Sequence, residues 1–107
     1  KLVVEGANGP ATPEADAMLQ ERGIRVVPDI LANSGGVVVS YFEWVQDFNR
    51  YFWDLAEVNK NMERVLRHAF AEVMATAERE RATLRAAALM VAVRRVAEAM
   101  KLRGIYP

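Results

Sequence analysis

Cysteine is absent from the 107 residues and histidine occurs once. Without thiols there is no disulfide framework and no thiolate metal site. The single imidazole, His68, stands beside Arg67 and four residues after Arg64, which reads as a solvated helix surface rather than a general base. No Ser-His-Asp set, metal-ligand spacing, Walker loop or G-x-G-x-x-G is found, so no catalytic or metal-binding residue is expected in this chain. An excess of either charge is lacking too. Fourteen Lys and Arg balance fourteen Asp and Glu, which points to neither nucleic acid nor an anionic membrane as partner. No apolar run reaches the roughly 18 residues of a transmembrane helix, and no secretory leader is recognisable, so a cytoplasmic location is expected. An initiating methionine is missing as well. The chain opens Lys1-Leu2-Val3-Val4-Glu5-Gly6, already inside a strand pattern, and is therefore expected to be a piece of a larger protein.

What is present is one stretch that builds a site. Residues 29–44 carry a polar loop with Asn33, a Gly35-Gly36 pair and then an apolar, aromatic helix. Ser34 is placed to cap that helix with its hydroxyl, and two residues without a Cβ let a ligand approach the backbone. Free N–H groups of the first turn, at the positive end of the helix dipole, favour a polar or anionic group. Val37 and Ser40, three residues apart, share one face, so an apolar contact and a hydroxyl donor sit together beside Asn33. A glycine-rich turn that merely caps a core helix has the same local signature, and the remaining chain decides between the two.

Leu2 to Val4 is a short apolar run, β-branched at Val3 and Val4, and predicts a fully buried strand. Thr12, Pro13 and Glu14 supply an N-cap, a proline at the first helical position and an acidic first turn. Ala15, Met18 and Leu19 follow at helical spacing, Gly23 ends the helix, and Ile24 to Val27 forms a second strand stopped by Pro28. Strand, helix, strand is a βαβ unit with parallel strands. The loops holding Asn8 and Asn33 then lie side by side, at the edge where open α/β sheets bind ligands. Two strands alone make no stable doubly covered sheet, so further strands are expected outside this chain.

From residue 34 to about 49, Val37, Tyr41, Trp44 or Val45, and Phe48 predict a core stripe, and Arg50-Tyr51-Phe52-Trp53 a break with aromatic anchors. Asp54 with Glu57 makes a capping box. Val58, Met62, Val65, Leu66, Ala69, Phe70, Val73 and Ala77 then define a long amphipathic helix to about residue 79. Thr83 can cap the last helix, in which alanines alternate with larger apolar residues and predict deep packing. Its Arg94, Arg95 and Lys101 suit the helix dipole better than a nucleic-acid patch, since Glu98 interrupts them. Gly104 ends this helix, and Ile105-Tyr106-Pro107 reads as a terminus. The expected fold class is α/β: a partial Rossmann-like βαβ unit of two parallel strands followed by long C-terminal helices.

The ordered motifs Val4-Glu5-Gly6-Ala7-Asn8-Gly9-Pro10, Thr12-Pro13-Glu14-Ala15-Asp16, Val27-Pro28-Asp29-Ile30-Leu31-Ala32-Asn33, Gly35-Gly36-Val37 and Ser40-Tyr41-Phe42-Glu43-Trp44 resemble the C-terminal part of glutamate dehydrogenase. The likeness runs through to Arg94-Arg95-Val96-Ala97-Glu98-Ala99-Met100 and covers essentially the whole chain. Leucine and phenylalanine dehydrogenases share the Asn-Ala-Gly-Gly idea but differ in the first loop and after the glycines. They are the distant alternative, and a non-catalytic helical interaction module is the competing class. Two positions depart from the family's pattern: Ala11 stands where threonine is usual and Ser34 where alanine is usual.

The resemblance implies an enzyme that oxidatively deaminates L-glutamate to 2-oxoglutarate and ammonia and passes hydride to NAD or NADP. It implies cofactor contacts from Ala7 and Asn8 beside the nicotinamide ribose and from Asn33 at the nicotinamide end. Val37 and Ser40 would line the substrate pocket, the serine hydroxyl donating to the side-chain carboxylate of glutamate. Residues 1–33 would end the dinucleotide-binding domain of a two-domain enzyme, and residues 34–107 would be a helical segment closing the cleft. The family's catalytic lysine and aspartate match nothing here, so the chain alone is expected to be inactive. The implied partners are the remainder of the dehydrogenase chain and further subunits, in a homo-hexamer or a hetero-oligomer with a related subunit.

Overall fold

Parallel pairing of two three-residue strands sets the geometry of everything that follows. In the computed structural model, which describes residues 1–104, β1 (Leu2–Val4) and β2 (Arg25–Val27) pair in the register Leu2 with Arg25, Val3 with Val26 and Val4 with Val27. The crossover is α1 (Pro13–Glu21), and α2 (Asp29–Ala32), α3 (Gly35–Asn49), α4 (Leu55–Glu80) and α5 (Leu84–Arg103) follow. Ile105, Tyr106 and Pro107, read above as a terminus, lie outside the described residues.

At three helix N-termini the capping side chain is the one the sequence predicts. Thr12 accepts the Ala15 N–H, Asp54 the Glu57 N–H and Thr83 the Ala86 N–H, each through a side-chain oxygen, which satisfies donors that a helix N-terminus otherwise leaves free. Gly23 and Gly104 follow their helices with positive φ, a region that costs a residue with a Cβ. Two arginines do the same work unannounced. Arg50 and Arg81, at φ of 53° and 51°, end α3 and α4 in the left-handed conformation.

The core lies where α4 and α5 cross the end of β2. Leu31, Val73, Ala87, Ala88 and Val91 form it, with Val27, Ala69, Ala77 and Leu84 packed around them. Ala87 is 0% exposed, so the small side chains of α5 let its backbone approach α4 closely.

Five expectations about burial are corrected. Leu2 and Val4 are exposed rather than buried, because α1 and α5 pack on β2 while β1 is held mainly by β2 itself. The expected α3 stripe is open: Val37, Tyr41, Trp44 and Phe48 are 59–78% exposed, and the buried face carries Phe42 and Gln46 instead. This helix is apolar on several sides, so periodicity alone does not single out the face that meets α4. Gln46 is tolerated inside because its amide is satisfied, donating to the Phe42 carbonyl and accepting the Trp53 N–H. Trp53 meets Phe42 edge to face at 5.3 Å, whereas its neighbours Tyr51 and Phe52 are exposed and anchor nothing among the described residues. In α4, Val65 and Phe70 are exposed, and Thr76 is buried in their place. Deep packing of α5 is confined to its Ala87, Ala88 and Val91 face, with Leu89, Val93, Val96 and Met100 outside.

Ala87→Leu is expected to lower stability by about 1–3 kcal/mol through overpacking. The measurement is a fall in the urea midpoint at unchanged m-value.

Candidate functional site

Because β1 and β2 run parallel, the chain leaves both at the same edge, and the residues that follow them meet there. The Asn33 side-chain amide donates to Asn8 Oδ1 at 2.6 Å and to the Gly6 backbone carbonyl at 3.3 Å. Two loops 25 residues apart are thereby clasped, as the topology predicts. Gly9, at φ 57°, turns the first loop so that its N–H donates to Asp29 Oδ2 at 2.7 Å.

The second loop is not the open polar segment expected. Asp29–Ala32 is the short helix α2, formed because Asp29 Oδ1 accepts the Ile30 N–H at 2.8 Å and Leu31 is drawn into the core. Ser34 does not cap α3. Its backbone is already right-handed helical, and its hydroxyl donates back to the Leu31 carbonyl at 2.9 Å, so Ser34 joins α2 to α3. The glycine pair divides its roles. A Cβ on Gly35 would meet Met62 Sδ at 3.6 Å and Leu66 Cδ1 at 3.7 Å, whereas one on Gly36 would meet nothing within 4 Å. Gly36, Val37 and Ser40 are all exposed, as are Ala7 and Asn8, so this edge is open from the first loop to the first turns of α3.

Beneath it lies a charged cluster that the motifs touched on only in part. Glu5, 3% exposed, accepts the Asp29 N–H at 3.0 Å through one oxygen and Arg85 Nη2 at 2.6 Å through the other. Arg85 also reaches Asp16 at 3.1 Å and Asp29 at 3.5 Å. Hydrogen bonds from Gly9, then Ile30, with a smaller contribution from the Arg85 charge, hold the Asp29 carboxyl below its ordinary pKa. The hydrogen bond to Glu5, ahead of the pull of Asp16, raises that of Arg85 further. The sequence signal for Glu5 was a carboxylate closing an apolar strand. Its cation, 80 residues away, left no local trace.

His68 is exposed on α4 and lines a shallow groove with Arg64 and Arg95. A larger groove, about 430 Å³, between the start of β2 and the α4–α5 turn contains none of the candidate residues. Among the described residues no group of three or more His, Cys, Asp or Glu side chains could hold a metal ion, and no helix is long and apolar enough to cross a membrane.

With this geometry in place, known proteins can be set beside it. A sequence profile described as Glutamate/Leucine/Phenylalanine/Valine dehydrogenase matches residues 1–104. A glutamate dehydrogenase of Thermotoga maritima is 59% identical over 107 residues, all of this chain and 26% of that protein. An NAD-specific glutamate dehydrogenase of Clostridioides difficile is 53% identical, over 99% of this chain and 25% of its own. An NADP(+)-dependent one from Pyrobaculum calidifontis is 50% identical, over 97% and 25%. Among solved structures, a hetero-hexameric glutamate dehydrogenase from Thermus thermophilus in a Leu-bound form superposes with a TM-score of 0.95 at 45% identity, covering 99% of this chain and 26% of that one. The chain thus spans about a quarter of the length of the relatives it matches.

Asp29, whose carboxyl is held below its ordinary pKa, should stabilise the fold at neutral pH. That contribution is fully present above the unfolded pKa and is lost as pH falls through the folded one. Urea unfolding midpoints of the parent and Asp29→Asn should therefore differ at neutral pH and converge only in acid below the usual aspartate range.

Proposed function

The chain belongs to the glutamate/leucine/phenylalanine/valine dehydrogenase family, and from that premise we propose that it forms the nicotinamide-side edge of an enzyme acting on L-glutamate. The reaction is L-glutamate, NAD or NADP in its oxidised form, and water giving 2-oxoglutarate, ammonia as ammonium, the reduced cofactor and a proton. In this reading residues 1–33 end a Rossmann-like dinucleotide-binding domain and residues 34–107 close the cleft between two domains. The relatives' names include both an NAD-specific and an NADP(+)-dependent enzyme, and either cofactor fits the proposal.

One observation carries it: the Asn8–Asn33 clasp stands beside an exposed Gly36, Val37 and Ser40. Its hydrogen bonds leave Asn8 Nδ2 and Asn33 Oδ1 without partners among the described residues. A donor and an acceptor are thus free at the edge where open α/β sheets take their ligands, which suits the carboxamide and ribose hydroxyls of a nicotinamide nucleotide. When bound, that cofactor supplies the hydride acceptor. Ala7 and Asn8 contact its ribose side and Asn33 its nicotinamide end. Gly36 leaves the backbone open to close approach. Val37 packs against the aliphatic part of the substrate, and the Ser40 hydroxyl donates to its distal carboxylate.

The groups that move protons belong to the rest of the enzyme, since no side chain of this edge is placed as a general base, and this segment alone is inactive. The working protein is cytoplasmic and assembles with the remainder of its own chain and with further subunits. The hexamer named for the Thermus thermophilus relative is the form proposed.

A hydrogen bond to a charged group contributes about 1.5–3 kcal/mol. Ser40→Ala in the full-length enzyme should therefore lower kcat/KM for glutamate by roughly ten- to a hundredfold and leave cofactor affinity nearly unchanged. Discrimination against norvaline should weaken, because the pocket loses a donor that an apolar side chain leaves unpaired. Steady-state kinetics with both amino acids and a fluorescence titration of cofactor decide it. An unchanged kcat/KM for glutamate, or an equal loss in cofactor binding, removes Ser40 from the substrate carboxylate.

A further inference from the structure

We propose that Arg85 is a positioning residue for the cofactor edge: its guanidinium, anchored in the first turn of α5, holds Glu5 and Asp29 so that Asn8 and Asn33 keep the spacing that receives the nicotinamide. The inference rests on the roles given above to those two asparagines.

Arg85 is an unusual choice for its place. It is the second residue of α5, at the positive end of the helix dipole, where a cation is disfavoured. Three carboxylates compensate. The guanidinium fork divides among three segments: Nη2 to Glu5 after β1, Nε to Asp16 in α1, and Nη1 to Asp29 at the start of α2. Each acceptor then passes the constraint on. The second oxygen of Glu5 fixes the Asp29 N–H, and the second oxygen of Asp29 fixes the Gly9 N–H, next to Asn8. The Asp29 backbone carbonyl accepts the Asn33 N–H at 3.0 Å, and the Asn33 side chain returns to Asn8. The result is two rings of hydrogen bonds that share Asp29: one closes through Gly9, Asn8 and Asn33, the other through Glu5 and the Arg85 guanidinium. Lysine keeps the charge but not the planar fork that serves three acceptors in fixed directions, so it separates charge from geometry.

The test uses the full-length dehydrogenase with Arg85→Lys and Arg85→Met. Arg85→Met is expected to raise the cofactor KM about tenfold, the equivalent of one lost hydrogen bond to a charged group. Arg85→Lys should fall between it and the parent, and glutamate KM at saturating cofactor should change less than about twofold. In the double variant Arg85→Lys with Asn8→Ala, cofactor KM should be no worse than in the more severe single variant, because both act through one contact. A lower melting temperature with unchanged cofactor KM in Arg85→Lys, or multiplicative effects in the double variant, overturns the proposal. If neither Arg85 variant assembles, Asp29→Asn weakens the residue that both rings share, and an unchanged cofactor KM there overturns it equally. Asn8→Ala separates the two levels. If it raises cofactor KM while Arg85→Lys does not, only the role of Arg85 fails. If it has no effect, the assignment of the edge fails and this inference with it.

Discussion

Taking the carboxylate of Glu5 out of water costs several kcal/mol unless a cation and hydrogen-bond donors replace the lost hydration. Both of its oxygens are met, one by Arg85 and one by the Asp29 N–H. That requirement ties the end of β1 to the start of α2 and to the start of α5. The apolar core under it is small, five buried side chains of which two are alanine. The hydrophobic contribution scales with area removed from water, and a core of this size gives the sheet edge limited support. Charge pairing and backbone hydrogen bonds at the cluster therefore decide where the loops sit, while α4 and α5 supply the platform beneath.

Much of this was legible in the sequence, and what was legible was local. Thr12, Asp54 and Thr83 cap their helices because the hydroxyl or carboxylate and the N–H it accepts lie three residues apart, a spacing visible in any window. The meeting of Asn8 with Asn33 was legible for another reason. Parallel strands have only one arrangement of their carboxyl ends, so topology replaced sequence proximity. Failures occurred where the answer depended on what lies opposite. α3 offers apolar residues on several faces, and its buried face carries Phe42 and Gln46 while Tyr41, Trp44 and Phe48 stay open. Ser34 had the right residue type for a cap, but α2 precedes it and supplies the Leu31 carbonyl as an acceptor. Arg85 carried no signal, since nothing within a turn of it explains a cation at a helix start.

The open aromatic stripe shows the same limit from the other side. Tyr41, Trp44 and Phe48 follow one another along α3 with ring centroids 6.0 and 5.9 Å apart, so neighbouring aromatics shield part of each other from water without any partner helix. Periodicity identified them as a set. It did not identify the side of the molecule on which the set lies.

Gly35 and Gly36 open α3, and neither has a positive φ. An alanine at 35 would touch Met62 and Leu66 at ordinary contact distance, and one at 36 would touch nothing. Replacing either would raise intrinsic helix propensity, by up to about 1 kcal/mol in a helix interior and less at its start. Backbone conformation and crowding inside the chain thus give no reason for two glycines in succession. At Gly36, the exposed member of the pair, the missing methyl group leaves the backbone of this turn bare on its outer side.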